Sequence, residues 1–404
     1  MMCAVSDDLL RACAELAVRT GANVQEGQEV HIAALLVHAP LARAITEAAY
    51  EAGASFVHID YRDPYEKLYR LWHAPLETLS FVPEWYDQQM AQLIERRASF
   101  IQIGGNPEPH LFEGIDPERL RQCIFWTTPS QLRVPMSNES NWTIVPCPNE
   151  GWAEQMLGEP DVEKLWQLVA AATRLDQPDP VAAWDAHMTR LEERAEDLNE
   201  RALDELHFTG PGTDLRVGLL PEAEWMAARF RTTWGRLYIP NLPTEEVFTA
   251  PDFRRTEGRV RCTRPLSMSG NVVEGLELTF QEGRIVNVDA TKNGEAVEAE
   301  IGRDEGAARL GEVALVDNSS AVGKTGKVFR DTLFDENAAS HIAWGAAITH
   351  AFEDLPPEDA REEAGINVSG VHTDTMIGSP EVDVNATTRS GERVAVIKQG
   401  DWVL

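Results

Sequence analysis

Four short stretches in the second half of the chain carry residue types that bind divalent cations. His372 and Asp374 stand two apart within Gly370–Gly378. In an extended segment such a pair projects from one face. Glu312 directly precedes the apolar run Val313–Val316, which reads as a short strand. Farther on, Glu336 sits where a helix is expected to begin, with His341 about one and a half turns inside it. Between a proline turn and another apolar run lie Glu245 and Glu246. If that segment is extended, only one of the two faces inward.

Each stretch alone has a plain alternative. A glutamate pair can be a solvated face, Glu336 can compensate a helix dipole, and His341 can be a hydrogen-bonded core residue. Together they offer four carboxylates and two imidazoles, more oxygen than a single structural zinc site uses. That donor set suits a two-metal centre with a bridging carboxylate, which lowers the pKa of a bound water and polarises a carbonyl oxygen. Both effects serve amide hydrolysis. Other chemistry finds no support. Gly323-Lys324-Thr325 resembles the end of a P-loop, but Asn318 stands where its first glycine belongs. The sequence has no HExxH and no GxSxG, and Gly104-Gly105 is not a dinucleotide fingerprint.

The elements that must position these residues read in two textures. From Ser6, a helix cap, the pattern alternates helix and strand: apolar helical spacing to Gly21, a strand over 29–36, a helix over 41–52 closed by Gly53, then strands over 55–59 and 99–103. This predicts an α/β first domain with a parallel sheet over residues 1–206, its last part, 161–206, forming charge-laced connecting helices. Residues 207–404 read as a strand-rich α+β domain, mostly antiparallel, with strands near 214–219, 276–280, 283–288, 313–316 and 394–398. The metal-binding stretches all fall in this second domain.

With 66 acidic against 36 basic residues, the net charge is −30, a field that repels phosphate backbones and argues against a nucleic-acid partner. The start MMCAVSDDLLRACAELAVRTG is expected not to be a signal peptide, and no apolar run is long enough to span a membrane. Five scattered cysteines without a CxxC pair point to the reducing cytoplasm.

Several strings, taken in order, resemble the M29 family of peptidases, the T-type and S-type bacterial aminopeptidases. They are Asn241–Pro251, Val316-Asp317-Asn318-Ser319-Ser320, Thr332–Ala338, His341-Ile342-Ala343-Trp344-Gly345 and His372-Thr373-Asp374. The resemblance spans essentially the whole chain. It implies a homodimer with a dinuclear site of zinc or cobalt, or alternatively manganese or magnesium, acting on peptides with a free N-terminus, often leucine. It assigns Glu246 rather than Glu245 as the first ligand. Glu312 becomes the bridging ligand, with Glu336, His341, His372 and Asp374 as the others. Hydrolysis at such a centre also needs a carboxylate to shuttle the proton of the attacking water, and Glu312 is the one expected to do so. One departure stands out. The family carries a catalytic tyrosine seven residues after the histidine of the His-Ile-Ala string, and here that position is Ile348. Tyr238 is the substitute expected from the second half of the chain, with Thr349 and His350 nearest the altered position. Two rival readings follow: a ring-cleaving dioxygenase with one iron held by His341, His372 and Asp374, and a metal-bound homologue without catalysis.

Overall fold

The computed structural model describes residues 6–125, 128–268 and 271–404. Cys3 lies outside the described residues. The other cysteines, Cys13, Cys123, Cys147 and Cys262, are free thiols. Among the described residues no helix is long and apolar enough to cross a membrane. The fold is mixed α/β, with one parallel sheet and two larger antiparallel ones.

The chain divides into two units. One comprises residues 1–186 and 228–243, the other 187–227 and 244–404. This differs from the boundary expected at 206 for two reasons. The helix Pro180–Glu200 is continuous across the division. The segment 228–243 also returns to the first unit, where Ile144 N donates to Pro240 O (2.7 Å) and Leu242 N to Ile144 O (3.1 Å). Those bonds satisfy a strand edge that would otherwise stay unpaired. Nor do the strands wait for residue 207, because one already runs over Leu203–Gly210.

In the first unit a four-stranded parallel sheet orders Phe56–Arg62, Glu29–Leu35, Ser99–Gly104 and Trp142–Pro146. Ser6 caps the helix Asp7–Glu15 by accepting from Leu9 N at 3.2 Å, satisfying a donor that the first turn leaves free. Gly21 is not the left-handed stop its position suggests. The helix widens into a π turn over Leu16–Gly21, and the left-handed residue is Asn23. Glycine is needed at 21 because a Cβ there would lie 2.5 Å from Thr143 Oγ1. Helix Ala39–Glu51 seats Leu41, Ala42, Ile45 and Ala49 in the core, and each large aliphatic side chain so buried contributes roughly 1.5–3 kcal/mol.

Buried histidines tie this unit's stability to pH. His38 accepts from Leu35 N through Nδ1 (3.3 Å) and donates from Nε2 to Gly105 O (2.9 Å), which suits only the neutral ring. Burial pushes its pKa down to about 4, against a smaller upward pull from the Gly105 bond. Burial likewise carries His31 to about 4. A lowered histidine pKa means that the folded state binds fewer protons than the unfolded one between these values. Stability is therefore present above the unfolded value near 6.5 and lost as pH falls toward 4, by on the order of 3 kcal/mol per histidine. Melting temperature should drop over that range, and His38→Gln should flatten the drop. A slope unchanged by the substitution would mean that His38 is not a titrating group.

The second unit holds two antiparallel sheets. The eight-stranded one includes the strands expected near 214–219, 276–280, 283–288 and 394–398, observed as Thr213–Leu219, Glu277–Gln281, Arg284–Asp289 and Arg393–Lys398. The five-stranded one orders His372–Met376, His341–Gly345, Leu310–Leu315, Val247–Thr249 and Met226–Ala227. Its two central strands are buried at every position, which explains why Leu310–Leu315 shows no clean alternation of apolar and polar residues.

Candidate metal centre

The five-stranded sheet sets the candidate ligands in register. Glu312 pairs with Ala343 and Ala343 with Asp374, so the two carboxylates flank one alanine on the same sheet face. Ala343 is fully buried; a longer side chain there would fill the space between them. His372, two residues before Asp374, shares its face, as the spacing predicts. His372 Nε2 lies 3.1 Å from Glu312 Oε2 and 3.6 Å from Asp374 Oδ1.

His341 arrives differently from the expectation. The helix is only Thr332–Asp335, and Glu336 opens just a single 3-10 turn, Glu336–Ala338, which ends before His341. His341 starts the strand His341–Gly345, paired with Ala314 on one side and Met376 on the other. Ala339 is fully extended, and Ser340 Oγ accepts from Val316 N at 3.0 Å. Strand pairing outweighs the helical tendency of the alanine-rich string, because the ladder satisfies backbone groups in a fully buried segment. His341 Nε2 reaches Glu246 Oε2 at 3.0 Å and Glu312 Oε1 at 3.9 Å.

Parity also separates the two adjacent glutamates. Phe248 pairs with Ala314, on the face that carries Glu312, and Glu246 lies two residues before it. Glu245 turns the other way, with its carboxylate 3.6 Å from His187 Nε2 and its backbone N donating to Asn337 Oδ1 at 2.7 Å. The sequence reading missed both partners, His187 and Asn337. Neither has a local signal, since both come from segments distant along the chain.

The ligand atoms form two groups, Glu246–Glu312–His341 and Glu312–His372–Asp374, each with its atoms within 4.8 Å of one another. Glu312 belongs to both. Glu336 belongs to neither, yet it shares the field: burial, then the charges of Asp374 and Glu246, push its carboxyl well above the usual range. Burial raises Glu312 too, with Asp374 and Glu246 adding to it against His372. For His341, burial acts downward, but the bond and charge of Glu246 carry it up to about 10. His372 is also raised; burial opposes the shift, and Asp374 and Glu312 overcome it. Buried carboxylates thus outnumber the two imidazoles that face them.

A divalent metal fits this donor set. Glu246 Oε2 is buried without a well-formed hydrogen bond, despite its closeness to His341. Both imidazoles turn Nδ1 to a backbone carbonyl, His372 to Ala346 O (2.8 Å) and His341 to Ala339 O (3.3 Å), which leaves Nε2 to face the carboxylates. That orientation is how ligating histidines are held. His341 is nearly sealed, while the His372 side chain keeps 31% of its surface exposed, so the cluster opens to solvent on the His372 side.

Ile348 N donates to Gly311 O at 3.2 Å, which pins position 348 beside the residue preceding Glu312. Thr349 and His350 lie in the 3-10 turn Thr349–Ala351 just beyond. Tyr238 is not available to this site. It lies in the core of the first unit, only 1% exposed, with its hydroxyl donating to Asn138 Oδ1 at 2.7 Å.

Comparison with known proteins places this geometry. The chain is 44% identical over 402 residues to aminopeptidase T of Thermus aquaticus, covering 98% of each. It is 36% identical over 406 residues to aminopeptidase PepS of Streptococcus thermophilus, again covering 98% of each. The structure of wild-type AmpT from Thermus thermophilus superposes with a TM-score of 0.90 at 41% identity, covering 98% of this chain and 99% of that one. The profile of thermophilic metalloproteases (M29) matches residues 6–402. A buried cluster of glutamates, histidines and an aspartate on a shared sheet, in a chain alike from end to end, places this protein in the M29 family of metalloproteases.

Proposed function

We propose that this protein is a metal-dependent aminopeptidase that removes N-terminal residues, leucine-like ones preferentially, from peptides with a free amino terminus. The observation that carries the proposal is Glu312, whose two oxygens face two separate ligand groups. Glu246, Glu312, Glu336, His341, His372 and Asp374 would hold a pair of divalent ions, zinc or cobalt, with manganese or magnesium as substitutes. When bound, such ions activate a water and polarise the scissile carbonyl. The protein's own groups do the rest. His341 and His372 present Nε2 because Nδ1 is engaged by the backbone. Glu312 Oε2, toward the open side, takes the proton of the attacking water and passes it to the leaving amine. Burial of Glu246 and His341 excludes bulk water from the closed side and strengthens each electrostatic contact there. The family resemblance adds a homodimer, and the scattered thiols support the cytoplasm as its location. No observation favours the single-iron oxygenase or the non-catalytic scaffold.

The test is hydrolysis of leucyl-p-nitroanilide by metal-stripped protein before and after adding cobalt or zinc. Activity that appears only with metal is the expected result. Equal activity in both states, or none with metal bound, rejects the proposal.

A further inference from the structure

The first unit contains a cavity of about 280 Å³ that the metal centre does not use. It lies against one face of the parallel sheet. His31, Phe100 and Trp142 stand side by side there, in register on three adjacent strands. Helix Pro129–Ser137 closes the cavity on another side through Gln131 and Val134. Gln102, which is exposed, marks its mouth.

Two polar side chains that line this cavity lack a well-formed hydrogen bond. His31 is 4% exposed, and neither of its ring nitrogens makes a hydrogen bond. Its nearest charged neighbour, Asp60, is 4.0 Å away. The indole Nε1 of Trp142 is also buried and lacks a well-formed hydrogen bond, although the Tyr238 hydroxyl lies beside it. Polar atoms left this way in a folded interior are costly unless something pairs with them. Burial holds the His31 pKa near about 4, so the ring is neutral at physiological pH and offers one donor and one acceptor. Trp142 adds a donor. Arg62 also lines the cavity, but its charge is offset by Asp60 at 2.9 Å, leaving little net field to hold an anion. The walls supply aromatic faces, with the His31 and Phe100 rings 5.8 Å apart and tilted.

We propose that this cavity binds a neutral, planar heteroaromatic molecule of nucleobase size. The aromatic rings stack on its face, and the His31 and Trp142 nitrogens read donors and acceptors on its edge. A space of this size lies just below the ~300–1,000 Å³ of drug-sized sites, which suits one small ring system. Binding there does not rest on the proposed peptidase chemistry.

The experiment is a calorimetric or saturation-transfer titration of the metal-loaded full chain with adenine. Nicotinamide serves as a second neutral ring, and benzoate and adenosine monophosphate as anionic ones. Saturable adenine binding that exceeds benzoate and the monophosphate is expected. His31→Leu should weaken it by about tenfold or more, and Trp142→Phe, which keeps a ring and removes the N–H, by about fivefold. Unchanged melting of both variants shows that they fold, and Trp142→Phe remains informative if His31→Leu does not. Absence of saturable binding, benzoate binding as tightly as adenine, or parental affinity in both variants overturns the proposal.

Discussion

Replacing Glu312 with glutamine lowers kcat/KM for leucyl-p-nitroanilide by at least ~10³, equivalent to about 4 kcal/mol of lost transition-state stabilisation. The size of the effect follows from the position of the residue. Its two oxygens face two ligand groups, 3.9 Å from His341 Nε2 on one side and 3.1 Å from His372 Nε2 on the other. Glutamine keeps the shape but removes the charge and leaves only one good acceptor. Both halves of the site therefore weaken together, and bound metal, measured by elemental analysis, should fall well below that of the parent. Glu245→Gln is the matched control. That carboxylate faces His187 rather than the cluster, so its loss should change kcat/KM by no more than about threefold. The metal-free proteins should show the opposite order of stability. Burial and neighbouring charges raise the Glu312 pKa, so its ionised form opposes folding, and the glutamine variant should melt higher once metal is stripped. A Glu312→Gln enzyme within tenfold of the parent would remove Glu312 from the mechanism.

Ile348→Tyr raises kcat on the same substrate by about 10²-fold, the loss usually seen when one oxyanion donor is deleted, taken in reverse. Isoleucine carries no donor for a tetrahedral oxyanion. The structure pins the position, because Ile348 N donates to Gly311 O at 3.2 Å and a Cβ on Gly311 would sit 2.1 Å from Ala346 O. The chain over 345–348 thus packs closely beside the residue before Glu312. Tyr238 cannot take over the role, since its hydroxyl is bonded to Asn138 and its ring packs near Trp142 and Phe230. Ile348→Phe supplies the control: similar bulk and no donor, hence no gain. Equal rates for the tyrosine and phenylalanine variants would show that the missing hydroxyl does not limit this enzyme.

Local patterns in the sequence carried much of the architecture. Alternating strand and helix signals are answered by the parallel sheet, and the capping role of Ser6 is observed directly. The His372-x-Asp374 spacing needed only the two-residue period of a strand to place both side chains on one face. The candidate ligands were named from resemblance to a family, which adds information that periodicity lacks, and five of the six fall in the two groups of the cluster. What local patterns could not supply were choices made by pairing between distant segments. His341 leaves the helical run because Ala314 and Met376 offer it a buried ladder. Glu246 rather than Glu245 faces the cluster because Phe248 is registered against Ala314, while His187 and Asn337 receive the other residue. Residues 228–243 return to the first unit because the strand Trp142–Pro146 has an edge to satisfy. Propensity sets what a segment can become over one or two turns. Which partner it meets is decided by satisfying every buried donor and acceptor at once, and that condition exists only in the folded chain.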